Sequence, residues 1–104
     1  YYKRAYDLSV HADSLAPSAT AHFFIGVTSV QLAFDAMRSA QAEAQAKRLP
    51  EACVDAKLAQ DYFVQTQLHM PAGGSVNADV AKQILAAVPQ YQAFFDASVK
   101  RYCK

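Results

Sequence analysis

The chain has 104 residues, of which 53% are apolar, and its net charge is +1. That length makes one ordinary domain and excludes a dinucleotide-binding unit with a separate substrate domain, or a (β/α)₈ barrel. Three Gly and four Pro fit neither a turn-dense all-β protein nor a disordered one, and so small a charge exerts no long-range pull on nucleic acid or acidic lipid.

The apolar share overstates the core, because 21 residues are alanine. In the first segment Tyr2, Ala5, Tyr6, Ser9, Ala12 and Leu15 recur at helical spacing, and Pro17 stops the pattern. The pattern already runs at Tyr1, which reads as a chain that has lost a leader or belongs to a longer one. Ser18 is placed to cap a long second helix from about Ala19 to Lys47. Its first half carries Phe23, Phe24, Ile25, Val27, Val30, Leu32, Phe34 and Met37; its second half, Ser39 to Ala46, is mostly Ala, Gln and Glu. Propensity alone makes that second half helical, but with little to bury it is expected to be exposed or frayed. No apolar run reaches a membrane span, since Thr20, His22, Gly26, Thr28 and Ser29 interrupt the best candidate.

Pro50 and Glu51 restart a helix, with the ring at the first helical position and the carboxylate at the positive end of the dipole. This third helix is expected from Pro50 to about Met70, and Pro71-Ala72-Gly73-Gly74-Ser75 reads as a loop. Asn77 opens a fourth segment through Val88. Pro89 separates it from a fifth, Gln90 to Tyr102, which carries Tyr91, Phe94, Phe95, Val99 and Tyr102 on one side. No stretch alternates with period two for long enough to make a strand. The expected fold is all-α, with about five helical segments.

Two segments share one spacing. Ala5, Ser9, Ala12 and Pro17 repeat as Ala59, Phe63, Thr66 and Pro71, a small residue, a plug, a small residue and a terminating proline. Small residues let antiparallel helices approach closely, and Gly26 in Phe24-Ile25-Gly26 marks such an approach on the partner helix. The pattern resembles the second helix of a tetratricopeptide repeat, and Gly26 is similar to that family's step on the first helix. The resemblance covers about 70 residues of the chain, with a lengthened hairpin: Pro17 and Pro71 lie farther apart than one ordinary period of about 34. It implies antiparallel helix pairs stacked as a short solenoid end. Residues 1–17 would be the second helix of a preceding repeat, 18–71 a long hairpin with an insertion, and 72–104 the capping helices.

Such a fold implies a non-catalytic protein–protein interaction scaffold, part of a longer exported protein. The alternative is an exported accessory or structural subunit docked in an envelope or membrane-protein assembly. The partner is then a protein or neighbouring subunit, with no nucleic acid. In tetratricopeptide-like packing first helices line the concave face. With Gly26 turned towards the third helix, Thr28, Gln31, Asp35 and Arg38 are expected to point outward as partner-binding residues.

Cys53 and Cys103 are the only cysteines. A bond between them would tie the last segment to the third helix and imply an oxidising compartment, the bacterial periplasm or cell envelope; the alternative is two separate thiols in a reducing one. Catalytic residues, cofactors and metal ligands are all assigned as none. His11, His22 and His69 show no ligand spacing, the carboxylates are scattered, and Gly73-Gly74-Ser75 lacks the strand and Lys of a phosphate loop. The aromatics Phe23, Phe24, Phe34, Tyr62, Tyr91, Phe94 and Phe95 are expected in the core.

Overall fold

A computed structural model describes residues 1–104 as four helices: α1 (Tyr2–Leu15), α2 (Ala19–Gln45), α3 (Leu49–Gly73) and α4 (Ala78–Tyr102). They pack antiparallel as an all-α bundle measuring 43 × 26 × 18 Å, in which no repeat unit is identified. The caps follow from local chemistry. Ser18 Oγ accepts the Ala21 amide at 3.1 Å and Asn77 Oδ1 accepts the Val80 amide at 3.1 Å, each satisfying a donor that the helix start leaves free. α2 ends in paired turn bonds, Lys47 N–H to Ala44 O and Arg48 N–H to Glu43 O, with Lys47 in the left-handed region at φ 61°.

The expected fifth segment does not exist as a separate helix. Pro89 lies inside α4, which continues unbroken from Ala78 to Tyr102. Ile84 and Val88 before the proline, and Tyr91 and Val99 after it, all pack on the same core cluster, so tertiary contact on both sides holds one axis. Leu85 and Pro89 are exposed, so the bond that the proline removes belongs to the watered side of the helix. Pro71 behaves alike: α3 runs on to Gly73, and the loop shrinks to Gly74–Asn77. Gly73 is seated so tightly that a Cβ there would collide with the backbone of Phe23.

α2 and α3 form the central hairpin. Ala33, Ala36, Met37 and Ala40 of α2 share a core with Ala52, Ala56, Ala59 and Phe63 of α3, into which Phe95 of α4 also projects. The alanines that diluted the composition therefore let two helices approach. At Gly26 a Cβ would stand 2.7 Å from Met70 Cε and 3.2 Å from its Cα. The Thr66 hydroxyl meets that of Ser29 at 2.7 Å, and each also has a backbone carbonyl within reach on its own helix, Tyr62 O for Thr66 and Gly26 O for Ser29. The second half of α2 is not frayed. It is helical to Gln45, with Ala40 fully buried and Ala44 against the core, while Ser39, Gln41 and Ala42 are exposed as expected.

α4 covers one side of the hairpin through an aromatic cluster. Phe34 lies 5.0 Å from Tyr91 and 5.3 Å from Phe95, and Phe63 lies 5.1 Å from Phe95, in edge or tilted arrangements. Phe24 and Phe94, expected in the core, are 47% and 39% exposed. α1 packs on the other side of α2, where Tyr6 reaches Tyr62 of α3 at 5.5 Å. It contributes no buried residue of its own.

Candidate functional site

The outward side of α2 differs from the expectation at one residue. Thr28 is only 5% exposed, and its hydroxyl donates to Phe24 O at 2.6 Å, so it cannot present a polar group to a partner. Two positions on from Gly26 the helix faces roughly the opposite way, but α2 is packed by three helices, so facing away from α3 does not mean facing solvent. Gln31 and Arg38 are exposed and Asp35 is half-buried, paired with Arg38 one turn on. The exposed Phe24 falls in line with Gln31 and Arg38 at heptad spacing. The free strip therefore runs Phe24, Gln31, Arg38, with Asp35 beside it.

A second constellation joins three helices. Asp13 near the end of α1, His22 in the first turn of α2 and His69 near the end of α3 each bring a ligand-type atom within 4.8 Å of the others. The antiparallel hairpin sets His22 beside His69, and α1, running parallel to α3, delivers Asp13 at the same end. His22 Nδ1 lies 2.7 Å from His69 Nδ1, and His22 Nε2 lies 3.4 Å from Asp13 Oδ1. Between the two facing Nδ1 atoms one ring donates and the other accepts, the roles depending on the tautomers. Burial, followed by the neighbouring His22, pushes the His69 imidazole below its ordinary pKa, while Asp13 opposes the shift. Asp13 Oδ1 is shut off from solvent and has no hydrogen-bond partner.

The sequence points to no metal ligand, because the three histidines, His11, His22 and His69, are 11 and 47 positions apart with no HxxxH or HExxH to set two on one helical face, and Asp13 reads as one of the scattered carboxylates. A signal existed nonetheless. A hairpin turning at Ala46–Arg48 puts His22 and His69 at nearly equal distances from the turn, so an antiparallel pairing alone brings them within about a helical turn.

At the opposite end of the hairpin, Cys53 and Cys103 form a disulfide with Cα atoms 4.8 Å apart. The bond lies beside a shallow cleft lined by Leu49, Pro50, Lys57 and Tyr102. It joins the first turns of α3 to the end of α4, where Cys103 N–H also donates to Val99 O. No family model, curated protein or solved structure matches the chain.

Proposed function

We propose that the chain is a non-catalytic interaction scaffold of tetratricopeptide-like helix pairs, the end of a longer exported repeat protein. The supporting observation is the order of packing. Each helix packs on the next in the chain, and α1 and α4 do not approach one another. A closed up-and-down bundle brings its first and last helices together; an open array leaves them apart so that a further pair can add. α1 fits the second helix of a preceding repeat. Tyr1, Leu8 and Leu15 form a heptad-spaced apolar line on it, with Leu8 60% and Leu15 74% exposed. α4 fits a cap: its free positions include Lys82, Gln83, Gln90, Asp96, Lys100 and Arg101, and its only large apolar side chains that are exposed are Leu85 and Phe94, at 36% and 39%, a largely polar outer face such as a terminal repeat requires. The close approach at Gly26 and the buried line Ala59, Phe63, Thr66 agree with the same family's packing.

The disulfide favours an extracytoplasmic setting, since such bonds persist where the surroundings are oxidising. Thiol trapping in intact cells tests this: both cysteines should resist alkylation until a reductant is added. Partner binding is assigned to the strip of Gln31, Asp35 and Arg38. Replacing all three with Ala should cost little stability, since Gln31 and Arg38 are exposed, where a substitution usually shifts it by less than about 0.5 kcal/mol, and Asp35 is half-buried, while copurification of the native partner falls. Retained copurification, with loss on substitution along Gln90–Arg101 instead, would replace this reading with a subunit that docks through its last helix.

A further inference from the structure

We propose that Asp13, His22 and His69 bind one divalent transition-metal ion of the Zn²⁺ type, which bolts the end of α1 to the α2–α3 hairpin. Two imidazoles and a carboxylate are a borderline donor set suited to zinc and its late first-row neighbours, and three protein ligands leave one position for water. The arrangement is nearly at bonding size. Zinc–ligand bonds of about 2.0–2.2 Å place tetrahedral ligand atoms about 3.3–3.5 Å apart. The His22–His69 nitrogens stand at 2.7 Å and the widest separation in the group is 4.8 Å. His22 turns Nδ1 to His69 and Nε2 to Asp13 and can give only one of them to an ion, so binding requires its ring and the facing side chains to turn.

An independent observation points to a cation. The Asp13 Oδ1 atom is buried with no hydrogen-bond partner although the side chain as a whole is 21% exposed, and His22 Nε2 stands 3.4 Å from it, beyond an ordinary hydrogen bond. A shielded carboxylate oxygen left in this state is costly, and a metal ion held jointly with the two imidazoles satisfies it. The mechanical consequence follows from α1. That helix buries none of its residues fully, so it is the least secured element, and the ion would fasten its last turn to two helices at once. His11, exposed on the same helix and outside the group, supplies an internal control.

The test uses the full oxidised chain, stripped with chelator and titrated with Zn²⁺ alone at neutral pH. The expected result is saturable binding of one ion per chain and slower amide exchange in α1. The melting temperature should rise by about 10 °C when free Zn²⁺ stands about 100-fold above its dissociation constant. His22→Gln, His69→Gln and Asp13→Asn should each weaken binding about tenfold or more, and His11→Gln should leave it unchanged. Should a variant fail to fold, imidazole resonances of the wild-type chain decide: Zn²⁺ must move those of His22 and His69 and spare His11. Absence of saturable binding, binding that survives both histidine substitutions, or perturbation confined to His11 overturns the proposal. The two imidazoles would then simply share a proton.

Discussion

At the scale of single residues, the strongest local strain sits at Lys47. Its positive φ puts a Cβ where only glycine is at ease, and the paired bonds that close α2 hold it there. Lys47→Gly should stabilise the protein by about 1 kcal/mol, a rise of about 4–8 °C in melting temperature; an unchanged or lower value would show that the turn relaxes without cost. Nearby, a hydrogen bond shared with Asp55 is the main reason the Glu43 carboxyl is held above its ordinary pKa, with desolvation and the Asp55 charge adding to it. The folded state thus binds this proton more tightly than the unfolded chain. The resulting stabilisation is complete below the unfolded value of 4.5 and is lost as pH rises through the folded one. Glu43→Gln, which keeps a donor at all pH values, should therefore melt higher than wild type at neutral pH, and the gap should narrow as pH falls towards 4.5. A constant gap across that range would exclude the shared proton. The caps at Ser18 and Asn77 were legible in the sequence because each acts on amides two or three positions away. The strain at Lys47 was not, since nothing in its side chain announces a left-handed backbone.

At the scale of elements, proline marks where local and tertiary preferences compete. Pro17 ends α1 because nothing beyond Leu15 packs well enough to carry the helix past it: Leu15 and Ala16 are both exposed. Pro89 does not end α4, because Ile84 and Val88 on one side and Tyr91 and Phe95 on the other meet a single continuous core. A proline within a helix costs about 3 kcal/mol, which that packing offsets. Pro89→Ala restores a donor for the Leu85 carbonyl and removes the ring's clash, at the expense of a freer unfolded chain. It should stabilise the protein by about 1–3 kcal/mol in chemical denaturation. Destabilisation would mean that the proline shapes α4 to fit the aromatic cluster. Periodicity located every helix and the stop at Pro17 but could not weigh Pro89, since the deciding contacts come from α2 and α3. Likewise the Ala-rich end of α2 looked idle because its partners, Ala52 and Ala56, are as small as itself, and close approach depends on both helices being small together.

At the scale of the molecule, each end of the α2–α3 hairpin carries a different link to a flanking helix, α1 at one end and α4 at the other. The end carrying His22 and His69 has the three-helix polar cluster, and the end carrying the α2–α3 turn has the disulfide. The cysteine pairing could be anticipated from the sequence as one of two alternatives, since two cysteines allow a single intrachain bond. The polar cluster could not, because Asp13 joins it only once α1 has docked alongside the hairpin. α4 depends most on the bond. It touches α2 at few points and packs mainly on α3. Cross-linking residues 50 apart removes chain entropy from the unfolded state worth about 4 kcal/mol. Reduction, or Cys103→Ser, should thus lower the melting temperature by about 15 °C or more. Amide exchange should accelerate first at Val99–Tyr102, where the cap bond from Cys103 to Val99 loses its covalent support, and should spread from there along α4. A fall of only a degree or two, with exchange unchanged in α4, would show that the aromatic contacts of Tyr91 and Phe95 with Phe34 and Phe63 suffice to hold the last helix. The bond would then be a consequence of proximity and not a condition of the fold.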